Sequence, residues 1–146
     1  MTPDHDELLC QRYPKIFVNR HAGVGTSLMG FGFEVGDGWF DLIERLCARL
    51  QALSEHPGSP QLVAVQVKEK FGSLRFYVEE ANGEQMTAIA AAERESKAIC
   101  ETCGTTGRPV VTGGYFMTRC EAHTPPEAIS PEEYLKLHNE RAERKE

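Results

Sequence analysis

Cys100-Glu101-Thr102-Cys103 and Cys120-Glu121-Ala122-His123 stand at either end of a short segment, residues 104–119. Two pairs of soft donors, each pair separated by two residues, have the spacing of a structural zinc site. A C-x-x-C turn folds back so that its two sulfurs converge on one point. Gly104 follows at once and can take the positive φ that such a turn needs. Within the segment, Val110-Val111-Thr112 and Tyr115-Phe116-Met117 suit strands, and Gly113-Gly114 suits a two-residue hairpin turn. A hairpin returns Cys120 and His123 to the side of Cys100 and Cys103. The expected metal ligands are therefore Cys100, Cys103, Cys120 and His123, with one structural zinc as the cofactor.

Other readings of the cysteines are weaker. Five is an odd number, and Met1 to Glu7 lacks the apolar core of an export signal, so a disulfide framework is not expected. Four protein ligands close the coordination shell, whereas catalysis needs an open position for water. Thr124-Pro125-Pro126 permits a helix to begin after His123 but not to run through it. The spacing leaves a zinc ribbon and a treble-clef-like zinc finger both open.

Working back from the cysteines, Glu84 to Ile99 reads as an alanine-rich helix with a stripe at Met86, Ile89, Ala92, Ser96 and Ile99 and a Glu93–Lys97 pair. Leu62–Lys68 and Leu74–Glu79 read as two strands around Glu69–Ser73, with Val63, Val65 and Val67 facing the same side as Leu74, Phe76 and Val78. The other face then presents Gln66, Lys68, Arg75 and Tyr77, with Lys70 near the turn. Residues 61–78 hold three bases against one acid in a chain of net charge −6, which makes this the best candidate recognition patch.

Gly38 to Leu53 is the clearest helix, with Phe40, Ile43, Leu46, Cys47, Leu50 and Leu53 at helical spacing and an Asp41–Arg45 pair. Cys47 lies on that apolar stripe and reads as core. Residues 21–38 are glycine-rich but lack the Gly-Lys-Ser/Thr ending of a phosphate loop and the frame of a nucleophile elbow. They read as turns with close backbone approach. A first short helix is expected to stop at Pro14, and Lys15–Val18 to form a short strand. Ser130-Pro131-Glu132-Glu133 starts a last helix running to Lys145, polar but for Tyr134, Leu135 and Leu137.

The expected fold is α+β: a small antiparallel sheet with packed helices (1–99), a zinc-binding hairpin module (100–124) and a polar C-terminal helix (125–146). Apolar content of 40% and charged content of 26% suit a globular chain, and no apolar run reaches the ~18 residues of a membrane span. Reduced thiols without an export signal predict a cytoplasmic protein. The zinc segment balances two acids against two bases, so the basic footprint usual for nucleic-acid binding is missing there.

The run Val67-Lys68-Glu69-Lys70-Phe71-Gly72-Ser73-Leu74-Arg75-Phe76-Tyr77 follows Gly36-Asp37-Gly38-Trp39-Phe40-Asp41-Leu42-Ile43 and precedes the C-x-x-C and C-x-x-H pairs. In that order it resembles a group of small phage and prophage proteins of unassigned function. The resemblance spans residues 36–123, implies a phage or prophage setting (the host cytosol), and transfers no catalytic residue.

Three functions are expected in order. The first is a non-catalytic, zinc-stabilised module that binds a protein partner; in a phage setting, an inhibitor of a host enzyme or defence system is its natural form. The second is nucleic-acid binding through Lys68, Lys70, Arg75 and Tyr77. The third is an enzyme using His21, Glu34, Asp37 and Asp41 of the glycine-rich 21–41 region.

Overall fold

Phe40–Ser54 forms α2 and buries Phe40, Leu42, Ile43, Leu46, Cys47, Leu50 and Leu53, the stripe that its spacing predicts. The computed structural model describes residues 1–144; Lys145 and Glu146 lie outside the described residues. The fold is α+β. Helix α1 (Pro3–Arg12) precedes β1 (Phe33–Glu34) and α2; β2 (Ala64–Lys70), β3 (Ser73–Val78) and α3 (Gly83–Glu95) follow. A second hairpin, β4 (Arg108–Thr112) and β5 (Tyr115–Arg119), leads to α4 (Pro131–Glu143).

The main sheet has the order β1-β2-β3. β2 and β3 are antiparallel, while β1 joins β2 in parallel through Phe33 opposite Val67. The sheet is therefore mixed. The chain reaches β1 by way of Ile16 and Phe17, which sit in turns and not in the expected strand. Both are buried: Phe17 packs edge-on against Phe33 at 4.8 Å, and Ile16 accepts the Ala64 N–H at 2.9 Å. One backbone bond and two core plugs fix this segment without a ladder.

A bulge between Ala64 and Gln66 shifts the register of β2. Ala64 and Val67 become the buried residues, while Val63 and Val65 are half-buried, so the strict Val63/Val65/Val67 alternation is corrected. A bulge inserts one residue and flips the remainder of the strand to the other face.

Asn82 and Gln85 form a reciprocal capping box that starts α3. Gln85 is fully buried, and its amide donates to Ser54 Oγ at 3.1 Å and to the Pro60 carbonyl at 3.0 Å. The α3 stripe thus runs through Gln85, Ile89, Ala92 and Ser96, and Met86 points outward. Glu93 is not spent on Lys97. Its carboxylate accepts the Phe76 N–H at 3.0 Å, and Ser96 Oγ accepts the Leu74 N–H at 2.9 Å. α3 therefore caps the free amides of edge strand β3, which would otherwise be an open template for pairing. Arg45 likewise reaches Glu95 at 2.7 Å, across to α3, and is not paired along its own helix with Asp41.

Phe71 has φ +53° and Gly72 φ +79°, so the β2–β3 turn places a bulky residue in the left-handed region. The residue is 70% exposed; its ring meets the edge of Phe116, at 6.4 Å between centroids, and the Lys70 ammonium, 5.7 Å from the ring centre. Asn tolerates this backbone far better than Phe, and the turn type favours Asn-Gly. Phe71→Asn is expected to raise stability by about 1 kcal/mol, measured as the urea midpoint. A lower midpoint would show that the Phe116 contact outweighs the strain.

Candidate metal centre

Residues 100–104 make a tight knuckle. The Gly104 N–H donates to the Cys100 carbonyl at 2.8 Å, and Gly104 has φ +80°, the conformation expected of it. The Cys100 N–H is held by the Thr105 carbonyl at 2.8 Å. The chain then runs out along β4 and returns along β5 through Gly113 (φ +54°) and Gly114 (φ +83°), which gives the two-residue turn that the sequence predicts. Cys120 caps a single 3-10 turn, Glu121–His123. Knuckle, hairpin and a single 3-10 turn thus follow one another around the four donors.

This route brings Cys100, Cys103, Cys120 and His123 together, all four ligand atoms within 4.8 Å of one another. Cys103 Sγ lies 3.7 Å from Cys120 Sγ, and His123 Nδ1 lies 3.2 Å from Cys120 Sγ and 3.8 Å from Cys100 Sγ. A tetrahedral ion with metal–sulfur bonds of ~2.3 Å has sulfur–sulfur edges of about 3.8 Å. These separations are close to such edges, so the cluster is consistent with a metal site, with Nδ1 the imidazole nitrogen nearest the sulfurs.

Local electrostatics set Cys100 and Cys120 apart from Cys10 and Cys47. Burial pushes the Cys100 thiol up, but backbone N–H donors from Cys120, Cys103 and Thr102 outweigh it and hold the thiol below its ordinary value. At Cys120 desolvation again opposes ionisation. The Thr105 hydroxyl, the His123 N–H and the neighbouring thiols overcome it and bring the thiol to about 7. Cys10 is raised to about 11 by burial and the nearby Asp6 carboxylate, and Cys47 is pushed well up by complete burial. Thiolates are metal ligands and nucleophiles; Cys10, beside the Asp6 carboxylate, and Cys47, in the apolar core, are held as thiols.

The knuckle is seated in the α+β core. Trp39, fully buried, donates its indole N–H to the Ile99 carbonyl at 2.9 Å, and the Gly38 N–H donates to the Glu101 carbonyl at 2.8 Å. Gly36 and Gly38 are what let the two backbones meet: a Cβ at Gly38 would lie 2.1 Å from the Cys100 oxygen, and one at Gly36 2.4 Å from the Glu101 oxygen. The Thr118 hydroxyl, buried, donates to the Gly72 carbonyl at 2.7 Å and ties β5 to the β2–β3 turn. α4 closes the hairpin's far side, where Tyr134 packs on Phe116 at 5.4 Å.

The recognition residues share one sheet face. Gln66 stands opposite Tyr77, Lys68 opposite Arg75 and Lys70 opposite Ser73. Gln66 donates to Glu34 at 3.2 Å, Lys70 Nζ lies 5.7 Å from the Phe71 ring centroid, and Arg75 donates to the Ser73 hydroxyl and the Leu74 carbonyl. Among the described residues neither Lys68 nor Arg75 forms an ion pair.

The four acid–base candidates have separate neighbours. Glu34 holds Gln66, and His21 lines a depression with Asp6, Glu7 and Arg20. Asp37 pairs with His5 Nδ1 at 3.2 Å and accepts the Thr2 N–H at 2.7 Å, while Asp41 sits exposed on α2. Desolvation opposes the Asp37 charge, but Thr2 and His5 outweigh it and hold the carboxyl below the usual range. The sequence missed His5, which stacks on Phe40 at 4.1 Å and anchors α1; a lone histidine on a polar helix carries no signal of that.

No helix among the described residues is long and apolar enough to cross a membrane. Comparison with protein-family models, with curated proteins and with solved structures finds no match.

Proposed function

We propose that this chain is a zinc-stapled, non-catalytic binding protein that engages a protein partner through the open face of its main sheet. The observation that carries the reading is the Cys3His set, whose four donor atoms lie within 4.8 Å of one another. A filled shell serves architecture. The surface left for recognition is the Gln66/Lys68/Arg75/Tyr77 face, where Lys68 and Arg75 stand opposite each other without carboxylate partners. Since Glu93 and Ser96 block the β3 edge, a partner meets this sheet on its face. In the phage or prophage setting that the resemblance implies, a host enzyme or defence complex is the partner to test.

Elemental analysis of the purified chain is expected to give one zinc per molecule. For the surface, the discriminating variant is K68E. It sets a carboxylate opposite Arg75 but also opposite Glu34, so an opposite-charge cross-strand pair, worth about 0.2–1 kcal/mol, is offset by a like-charge pair of similar size. K68E is therefore expected to melt close to wild type while losing capture of a partner from bacterial lysate. Capture that ignores K68E would remove this face from the account. The same patch favours nucleic acid as the second reading. In that case binding of an oligonucleotide would fall steeply with salt, because neutralised phosphates release counterions.

A further inference from the structure

Arg108 and Arg119 stand directly opposite each other in the β4–β5 ladder, on one face of the hairpin. Like charges placed so are destabilising unless something lies between them. Both line a surface depression of about 380 Å³, whose other walls are Thr106, Gly107, Cys120 and Glu121. Among the described residues Arg108 is exposed and forms no ion pair. Arg119 is held in place from behind: its side chain is 20% exposed, its Nη1 donates to the Thr118 carbonyl at 3.0 Å, and Glu101 Oε1 lies 3.5 Å away. One guanidinium is thus positioned and the other is free to close on a ligand. In a chain with 22 acids and 16 bases carboxylates are plentiful, yet among the described residues none is paired with Arg108.

We propose that Arg108 and Arg119, with the Thr106 hydroxyl at the rim, form a binding site for a small oxyanion beside the metal centre. A guanidinium fork presents parallel N–H donors that match two oxygens of a phosphate or carboxylate. An anion between the two forks turns a repulsive cross-strand pair into a bridged one. Glu121 on the rim opposes a high negative charge and keeps the site selective for a single oxyanion group. The site does not depend on the open sheet face.

The test uses the full chain as purified, at low ionic strength, where surface electrostatics are least screened. Sodium phosphate and sodium acetate are titrated separately and followed by 1H–15N NMR, with sodium chloride at matched ionic strength as control. Saturable shifts are expected at the Arg108 and Arg119 Nε–H signals and at the Thr106 and Gly107 amides. The relative affinities of the two anions tell a phosphate ligand from a carboxylate one. Arg108→Gln is expected to weaken binding roughly tenfold, the worth of one charge-assisted hydrogen-bond pair. It should melt no lower than wild type, since it relieves the like-charge pair. Glu121→Gln is expected to tighten binding about threefold. Shifts that chloride reproduces, unchanged affinity in Arg108→Gln, or shifts confined to the four metal ligands with metal release would each overturn the proposal.

Discussion

Stripping the metal with a chelator, or replacing Cys100 by Ser, is expected to abolish the cooperative melting of the whole chain. Structural zinc contributes about 10–16 kcal/mol of apparent binding energy in small peptides at neutral pH. The total stability of a domain is only about 5–15 kcal/mol. If the metal held a separate appendage, its loss would leave the rest intact. Here the knuckle supplies the acceptor for the buried Trp39 indole and for the Gly38 amide. Losing it strands a buried donor, at a cost of about 1–3 kcal/mol, and opens the core beside α2. Circular dichroism melts of the metal-free and metal-loaded chain decide this. A grading should also appear: Cys100→Ser, at a fully buried ligand, should cost more than Cys103→Ser, at an exposed one. Equal melting with full metal content in both variants would remove the metal from the stability account.

Gly38→Ala is expected to lower stability by about 3 kcal/mol, although it adds one methyl group. The new carbon would sit 2.1 Å from the Cys100 oxygen and 2.6 Å from the Glu101 oxygen. Both are backbone atoms, so no side chain can swing aside. Overpacking typically costs about 1–3 kcal/mol, and separating the two backbones also weakens the Gly38–Glu101 hydrogen bond, worth about 1 kcal/mol. A loss of about 3 kcal/mol corresponds to a melting temperature about 10 °C lower in a chain of this size. Because the knuckle must shift, metal affinity should fall in the same variant, measured by competition with a chromophoric chelator. Gly25→Ala, where a Cβ meets nothing within 4 Å, is the matched control and should be neutral or slightly stabilising. Gly38→Ala with wild-type melting would mean that the two backbones do not meet this closely.

Those two glycines mark where the sequence could be read and where it could not. The four ligands, the hairpin between them and α2 were legible because each rests on local spacing: two residues between donors, Gly-Gly at a turn, apolar residues every three or four positions. Close backbone approach in the glycine-rich segment was also legible. What the glycines approach was not, because Gly36 and Gly38 meet residues more than sixty positions away. The same limit hid the parallel pairing of β1, a two-residue strand defined only by its neighbour. Glu93 and Arg45 were assigned to partners one helical turn away. Both reach across to other elements, where a buried amide or a facing helix gives them more than a solvated neighbour does. Gln85 defeated the pattern outright, since a glutamine on an apolar stripe becomes legible only when its acceptors, Ser54 Oγ and the Pro60 carbonyl, are known.

The seating of residues 99–101 against Gly36, Gly38 and Trp39 also sets an order of events at the ribosome. Chains emerge N-terminus first, and a finished unit normally folds as it appears. Here the groove is made early and its filler arrives late, so residues 1–98 leave the exit tunnel with an indole N–H and a backbone amide still awaiting acceptors. With a metal as the staple, completion would wait for His123 to clear the tunnel and for the ion to be captured.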